Sequence, residues 1–378
     1  MNPILRASKP YPMAELQRRK AELAKTGVRI HDFGTGDPVE PTPPFILDAL
    51  KQAVPTISQY PSVAGTTKLR SAAAGYMQRR FGVTLDPATQ ILPSSGSKEA
   101  IFHLGPAFLD PGTTKNTIVY GTPGYPVYES SAMFAGGVAH PVVLERARGF
   151  RLELERLPTA LLNATAIAWL NYPHNPTGAC VDLAYFAAQR DVAKAHGILL
   201  CSDECYQDLW FNDAEPPPSL LQTGIEDVLA FHSCSKRSGM TGYRSGFIAG
   251  DAKLIAEYRR WRVHFGVGSP EFIEHAAAAA WSDDQHAAQR RTIFAAKYAV
   301  LSAGLQARGL EILPSSAGLY LWAKAPKGVS ADAYAAQCLD RGIVISPGGF
   351  FGPGGDQWFR LALVPSVEAC KEALAVWP

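Results

Sequence analysis

The middle of the chain alternates short apolar runs with segments of helical periodicity, and this alternation constrains the fold more than any other feature. One helical segment has Asp182 before it as an N-cap and Gly197 after it as a stop. A strand–helix–strand order of this kind predicts an α/β fold with a mostly parallel sheet and helices on both faces. The apolar runs that predict its strands are Thr117–Tyr120, Ala166–Asn171, Ile198–Ser202 and Val228–Ser233.

The last third of the chain predicts a second, smaller unit. Glu274–Leu310 is rich in alanine and predicts one long helix leading out of the first domain, while Gly318–Trp322 and Gly342–Ser346 predict strands of an α+β unit. A chain of 378 residues, 47% of them hydrophobic, is long enough for two domains. The N-terminal segment could pack on the smaller unit or on a partner chain. We expect an N-terminal arm with part of the small domain in 1–35, a large domain in 36–275 and the small domain in 276–378.

Charge and composition argue against several classes of partner. The formal net charge is +2 and 19% of the residues are charged, which does not favour nucleic acid or an anionic membrane. The densest basic cluster, Arg259–Arg262, is expected on a solvated helix face. No apolar run approaches the ~20 residues that span a bilayer, and Met1–Pro12 lacks a signal peptide's apolar stretch. Six cysteines without a CxxC pair indicate reduced thiols, so we expect a cytoplasmic protein without a metal site.

Polar residues collect where the predicted strands end. Open parallel sheets bind their ligands at the carboxyl ends of the strands. Each polar residue has an ordinary explanation when taken alone, such as a turn, a helix cap or a solvated lysine. Together, in one order at one sheet edge, they predict a binding site. They are Tyr125, Asn175, Asp203, Tyr206, Ser233, Ser235, Lys236 and Arg244.

A Gly-Ser loop adds a candidate anion site. Ser94-Ser-Gly-Ser-Lys-Glu-Ala100 precedes an apolar-periodic run that predicts a helix. The first turn of a helix offers free N–H groups and the positive end of the helix dipole to a phosphate. Ser-Gly-Ser before a helix is also an ordinary cap, but the neighbouring motifs favour a phosphate site at Gly96, Ser97 and Lys98.

Three motifs carry a resemblance to a known family. Asn-Pro-Thr-Gly at 175–178, Ser-Asp-Glu-Cys-Tyr at 202–206 and Ser-x-Ser-Lys-(x)7-Arg at 233–244 match in order and spacing. From about Gly34 to Val364 the chain resembles the class I and II aminotransferases of pyridoxal-phosphate (PLP) fold type I. The resemblance implies a large domain with a mainly parallel seven-stranded sheet, a small α+β domain built from both chain ends, and a homodimer with active sites at the subunit interface.

The resemblance also implies the roles of the cofactor ligands. Lys236 would carry PLP as a Schiff base and later move a proton at the substrate Cα. Asp203 would keep the pyridine nitrogen protonated, and Tyr206 and Asn175 would hydrogen-bond the 3-hydroxyl. Tyr125 would stack on the ring. The phosphate ligands would be Gly96, Ser97, Lys98, Ser233, Ser235 and Arg244, with Tyr60 reaching in from the neighbouring subunit.

Substrate recognition has fewer candidates. Arg360, in Trp358-Phe-Arg-Leu361, resembles the small-domain arginine that binds the substrate α-carboxylate, because its planar fork matches a carboxylate bidentately. Gly36 lies where the family closes a backbone loop over the substrate, and Asn175 lies beside it in the implied site. Lys98 would pair with a distal carboxylate, although it could also cap its helix and face solvent.

The choice of substrate rests on weaker matches. Met1–Pro12, Pro41–Leu50 and Tyr60–Gly65 resemble bacterial succinyldiaminopimelate aminotransferases. We therefore expect amino transfer between N-succinyl-LL-diaminopimelate and 2-oxoglutarate or glutamate. An aspartate-type or an LL-diaminopimelate aminotransferase stays open, as does a C–S lyase on the same fold. A PLP-sensing regulator is disfavoured, because no basic helix-turn-helix pattern is found.

Overall fold

The described part of the chain contains twelve strands in three sheets. The structure is a computed structural model that describes Met1 and residues 3–7, 12–211 and 215–378. The strands within these ranges are β1 His31–Asp32, β2 Ile91–Ser94, β3 Thr117–Thr122, β4 Val138–Val143, β5 Thr165–Leu170, β6 Leu199–Asp203, β7 Val228–Ser233, β8 Gly246–Gly250, β9 Tyr320–Lys324, β10 Ile343–Val344, β11 Ser346–Pro347 and β12 Trp358–Ala362.

Fourteen α-helices surround these sheets in the same ranges. No helix among the described residues combines the length and the apolar character that crossing a membrane requires. The helices are α1 Pro3–Ala7, α2 Pro12–Ala24, α3 Pro44–Ala53, α4 Thr67–Phe81, α5 Ser97–Phe108, α6 Val127–Phe134, α7 Thr159–Ala164, α8 Leu183–Ala195, α9 Cys234–Arg237, α10 Ala252–Arg262, α11 Glu271–Ser282, α12 Gln285–Gln306, α13 Ala331–Asp340 and α14 Val367–Ala375.

The largest sheet has seven strands in the order β2-β8-β7-β6-β5-β3-β4. Strand β8 runs antiparallel to β2 and β7, and the other neighbouring pairs are parallel. Strands β3, β6 and β7 are almost wholly buried, because helices cover both faces, and this explains their continuous apolar sequences. The expected mainly parallel seven-stranded sheet is confirmed. Asp182 caps α8 by accepting from the Tyr185 N–H at 2.8 Å, also as expected.

The predicted long helix over Glu274–Leu310 was wrong, since α11 and α12 are separate helices. Asp283 between them has an extended backbone, with φ −121° and ψ 127°. Its carboxylate accepts from the His286 N–H at 2.9 Å and so caps the start of α12. The Asp283-Asp284 pair was the signal for this break, because short acidic side chains favour helix starts over helix interiors.

A smaller unit packs beside the large sheet. Its antiparallel strands have the order β11-β12-β9, and β1 pairs in parallel with β10. The described N-terminal segment packs on this unit: Lys20 pairs with Asp32 at 2.5 Å, and Leu23 contacts the cluster around Val344. Asn2 and residues 9–11 of the opening motif lie outside the described residues. The domain bounds at 35/36 and 275/276 stay predictions.

Candidate active site

The carboxyl ends of the parallel strands open onto a cavity of about 430 Å³. Of the residues expected at the site, Gly96 and Tyr60 are not among its lining. Gly96 directly precedes Ser97, which does line it, whereas the Tyr60 side chain is fully exposed on the loop before α4. The structure brings the other expected residues together around this cavity, namely Gly36, Ser97, Lys98, Tyr125, Asn175, Asp203, Tyr206, Ser233, Ser235, Lys236, Arg244 and Arg360.

Lys236 lies on the short helix α9 that follows β7. Its Nζ donates a hydrogen bond to the Gly36 carbonyl. The pKa of Lys236 is lowered to about 8, chiefly by burial, with Arg360 and Arg244 adding to the shift and Asp37 opposing it. A large share of this amine is therefore neutral at mildly alkaline pH, which is the state that attacks a carbonyl carbon.

Asp203 ends β6 with its carboxylate buried. The carboxylate accepts from the Tyr128 hydroxyl at 2.8 Å and from the Cys205 N–H at 3.3 Å, and the Asp203 carbonyl accepts from Asn171 at 2.9 Å. Burial raises the pKa of Asp203, while the two carboxylate hydrogen bonds oppose that rise. Within the described ranges Asp203 has no ion pair. A buried carboxylate of this kind suits a cationic ring N–H group.

Sequence reasoning missed Tyr128 and Asn171. Tyr128 lies on α6, three residues after Tyr125, and this helical spacing was the available signal. Asn171 follows β5 and accepts from the Asn175 N–H at 3.0 Å through Oδ1. Asn171 thereby holds two expected site residues, Asn175 and Asp203, with one amide group.

Arg360 reaches the cavity from β12. Its guanidinium donates to Asn175 Oδ1 at 3.0 Å and to the Gly34 carbonyl at 2.7 Å. It lies over the rings of Tyr320 at 4.2 Å and Phe351 at 4.6 Å. Its Nε is buried without a hydrogen-bond partner, and the described part of the chain gives it no carboxylate partner. A cation held in this way fits a carboxylate ligand.

Tyr320, on β9, is a further cavity residue that sequence reasoning missed. Its hydroxyl lies 3.0 Å from that of Tyr206. Burial raises the pKa of Tyr206 well above its ordinary value, so Tyr206 stays a neutral phenol that can donate. A Cβ at Gly36 would lie 2.6 Å from the Tyr320 hydroxyl. The backbone at this point can therefore border the cavity only because the residue is glycine.

One end of the cavity gathers donors suited to a phosphate. Gly96 has φ +80° and leads into α5, which begins at Ser97. Arg244 donates to the Ser95 carbonyl at 3.2 Å and to the Thr241 carbonyl at 2.9 Å. A Cβ at Gly96 would collide with the Arg244 guanidinium. Helix N–H groups and this guanidinium thus lie side by side, as binding of a dianion requires.

A buried arginine supports this loop. Arg262 is fully buried, and it pairs with Glu99 at 2.9 Å and donates to the Pro93 carbonyl at 2.7 Å. Glu99 in turn accepts from the Ser95 N–H at 3.1 Å. The expected solvated face of 259–262 was therefore wrong for Arg262, because helical periodicity places it on the same buried side as Tyr258. Arg259 and Arg260 are exposed, as expected.

The donor set fits PLP. A desolvated amine, Lys236, lies in the same cavity as a buried carboxylate, Asp203, which suits a protonated pyridine nitrogen. The α5 N-terminus and Arg244 supply the donors that a phosphate needs, and the Gly96 position leaves no space for a side chain beside that guanidinium.

Comparisons with known proteins agree with this site. The family model for aminotransferase class I and II matches residues 28–376. LL-diaminopimelate aminotransferase 2 of Nostoc sp. is 37% identical over 371 residues, which cover 97% of this chain and 94% of that protein.

Solved structures show the same architecture. Substrate-bound BacF from Bacillus subtilis superposes with a TM-score of 0.94 at 28% identity, over all of this chain and 96% of that one. A probable N-succinyldiaminopimelate aminotransferase from Thermus thermophilus superposes with a TM-score of 0.90 at 28% identity, over 96% of this chain and 98% of that one. The chain therefore belongs to the class I and II aminotransferases of fold type I and is a PLP-dependent transaminase.

Proposed function

We propose that this transaminase acts on a diaminopimelate and exchanges its amino group with the 2-oxoglutarate/glutamate pair. The observation that carries the proposal is a cavity whose lining includes, besides Lys236 and Arg244, the cationic side chains of Arg360 and Lys98. Arg360 would take the carboxylate next to the reacting carbon, and Lys98 would take a carboxylate at the distal end. Both a diaminopimelate and glutamate carry such a pair of carboxylates.

Two diaminopimelates are candidate substrates. LL-Diaminopimelate is the first candidate, because relatives of this name match nearly the whole chain at 36–37% identity. N-Succinyl-LL-diaminopimelate, the form expected from the sequence, is the second, and the fold neighbour from Thermus thermophilus supports it. Succinylation replaces the distal ammonium group by a neutral amide and adds a carboxylate farther out. A distal lysine suits this second carboxylate at least as well.

Each cavity residue has a separate role in the proposed reaction. When bound, PLP supplies an electron sink for the electron pair left at the substrate Cα. Lys236 holds the cofactor in the resting enzyme, and its released amine then carries a proton to and from the substrate Cα. Asp203 holds the proton on the ring nitrogen, while the Tyr128 hydroxyl and the Cys205 N–H orient its carboxylate. Tyr206 and Asn175 donate to the ring hydroxyl, which stabilises its ionised form.

The orientation of the substrate follows from Arg360 and its neighbours. Asn175 and the Gly34 carbonyl fix the guanidinium plane, and the Tyr320 and Phe351 rings exclude water from its faces. Because Arg360 and Lys236 line the same cavity, a carboxylate bound at Arg360 would place the substrate Cα on the side of the Lys236 amine. Since the α-carboxylates of both exchange partners would use Arg360, one cavity serves both half-reactions.

The proposal is tested by a panel of amino donors with 2-oxoglutarate as acceptor. LL-Diaminopimelate, its N-succinyl derivative, aspartate, alanine and phenylalanine are compared by kcat/KM. We expect one of the two diaminopimelates to exceed alanine and phenylalanine at least tenfold. A preference for aromatic or neutral donors would refute the substrate class and leave the transaminase assignment intact.

The assignment of Lys236 has its own test. Borohydride reduction of the holoenzyme should fix the cofactor to a single peptide that contains Lys236. A label on any other lysine would show the assignment to be wrong.

A further inference from the structure

Arg237 follows Lys236 directly, and no role in the proposed reaction uses it. Its side chain is 3% exposed. Nε donates to Asp208 at 2.5 Å, Nη1 donates to the Ala280 carbonyl at 2.6 Å, and Nη2 donates to the Asp283 carbonyl at 3.0 Å and to Asp284 at 2.7 Å. A planar cation bonded on every nitrogen, in a close-packed interior, has one available orientation.

Asp208 connects this arginine to the segment that directly follows Asp203. It lies five residues after Asp203, in the turn that follows β6, and its side chain is 5% exposed. One carboxylate oxygen accepts from Arg237 and the other accepts from Arg80 at 3.1 Å. Burial alone would raise the pKa of Asp208, but the two guanidinium groups hold it below its ordinary value. The ion pair is therefore charged over the whole working pH range.

We propose that Arg237 is a positioning residue that fixes Lys236 relative to Asp203 through its buried ion pair with Asp208. The inference rests on the roles proposed above for Lys236 and Asp203. These two residues would bind opposite ends of one rigid ring, so their separation determines how the ring lies against the substrate. A misplacement of about 1 Å at a reacting centre can cost about a hundredfold in rate.

The Arg237 guanidinium also binds the segment between α11 and α12. Ala280, Asp283 and Asp284 lie at the break between α11 and α12. Arg237 therefore connects the α9 turn, the turn after β6 and the start of the long helix α12. A lysine at this position could reach Asp208, but its single ammonium group could not also hold the two backbone carbonyls and Asp284 in one plane.

The test compares Arg237→Lys with wild-type holoenzyme, each normalised to bound cofactor. We expect kcat per loaded site to fall by about ten- to a hundredfold while KM changes by less than about threefold. We also expect the visible circular dichroism per bound cofactor to change, because this signal reports how the ring lies in its asymmetric surroundings. The matched control is Arg79→Lys, which alters two contacts at the same break between α11 and α12, with Asp284 at 2.8 Å and with the Trp281 carbonyl at 2.7 Å, that do not involve Asp208. This control should lower the melting temperature but leave kcat per loaded site and the dichroism per bound cofactor within about twofold of wild type.

A purely structural role gives a different result. If Arg237→Lys lowers the melting temperature but leaves kcat and the dichroism per bound cofactor unchanged, the inference is wrong. If Arg237→Lys does not fold, the isosteric variant Asp208→Asn replaces it. The same two measurements, kcat per loaded site and dichroism per bound cofactor, then test the inference. Borohydride labelling of wild type distinguishes failure of the proposed role of Lys236 from failure of the inference about Arg237. A label on a lysine other than Lys236 overturns both. A label on Lys236 with unchanged dichroism overturns this inference alone.

Discussion

Two adjacent carboxylates at the end of β6, Asp203 and Glu204, differ in their surroundings and therefore in what they can do. Asp203 lines the cavity, whereas Glu204 does not. Glu204 accepts from the Leu220 N–H at 2.8 Å, and its other oxygen lies 3.4 Å from His232. Burial raises the pKa of Glu204 to about 7 and lowers that of His232 to about 3. Near neutral pH the histidine is uncharged, so this contact is not an ion pair.

The raised pKa of Glu204 predicts a loss of stability with rising pH. Between the ordinary pKa of 4.5 and the folded value of about 7, the unfolded chain releases a proton that the folded chain retains. The free energy of unfolding therefore falls across this window, by about 3 kcal/mol from this group, and stays level above it. Glu204→Gln removes this contribution. The measurement is urea unfolding of the cofactor-free protein at pH 5 and pH 8. We expect the free energy of unfolding of the variant, relative to that of wild type, to be higher at pH 8 than at pH 5. The same difference between variant and wild type at both pH values would contradict the raised pKa of Glu204.

Lys98 carries the prediction about the distal carboxylate. It lies in the first turn of α5 and lines the cavity. A charged hydrogen bond in a partly closed site contributes on the order of 1–3 kcal/mol. Lys98→Ala should therefore lower kcat/KM for dicarboxylic donors by about ten- to a hundredfold and leave alanine almost unchanged. Equal losses for both kinds of donor would show that Lys98 serves the cofactor or the fold instead.

The side chains found from the sequence and those missed differ in how they act. Lys236, Asp203 and Arg360 lie in motifs with recognisable spacing, and the structure places all three at the cavity. Tyr128 and Tyr320 act only through contacts that folding creates, on a helix face and on a strand of the smaller unit. The spacing of Tyr128 from Tyr125 indicates a shared side but not a contact with a carboxylate, and no local pattern specifies that Tyr320 touches a guanidinium.

At the scale of one element, the start of α5 depends on a single glycine. Gly96 has φ +80°, and an added Cβ would meet the end of the Arg244 side chain. The Arg244 side chain is flexible enough to move away, so the clash would shift the proposed phosphate donor more than it disturbs the fold. The loop is otherwise held by the Glu99 and Arg262 pair behind it.

Gly96→Ala is expected to weaken binding of PLP at least tenfold while lowering the free energy of unfolding by only about 1–2 kcal/mol. Equilibrium titration with PLP and urea unfolding of the cofactor-free protein measure the two effects. Gly309→Ala is the matched control, because Gly309 has φ +79° and nothing lies within 4 Å of an added Cβ. Equal PLP affinity in both variants would show that Arg244 does not need this space.

Elements were predicted best where burial is complete. The run Val228–Ser233 coincides with β7, and β3, β5 and β6 differ from their predicted bounds by one or two residues. Strands β2, β4 and β8 were not predicted. Strand β4 lies at the sheet edge with its residues partly exposed, β2 contains Pro93, and β8 has a glycine at each end, so each lacks the apolar signal of a central strand.

At the scale of the whole molecule, the loop before α4 presents an apolar surface to solvent. Val54, Ile57 and Tyr60 are 57%, 76% and 103% exposed. Contiguous exposed apolar side chains are typical of an interface. The resemblance implies a homodimer in which Tyr60 reaches the phosphate site of the neighbouring subunit, and we propose that this loop lies in the dimer interface.

Hybrid dimers test this shared site. Lys236→Ala and Tyr60→Ala homodimers each carry the same defect in both sites. A hybrid of the two has one site with both defects and one intact site, if Tyr60 comes from the partner. Random mixing should therefore restore about a quarter of wild-type activity after subunit exchange. Activity that stays at the mean of the two parent proteins would show that each site is built from one chain.

The pairing of β1 with β10 brings together segments more than 300 residues apart in the chain. The Phe33 ring also packs edge-on against Trp377, next to the last residue. During synthesis the N-terminal strand therefore leaves the ribosome long before its partners exist, and contacts of such long range form slowly. The large sheet, whose strands lie within 91–250, can assemble while translation continues, but the part that carries Arg360 forms only once β9 to β12 have been made. The cavity residues that follow the strands of the large sheet can thus be in place before the arginine that would hold the substrate.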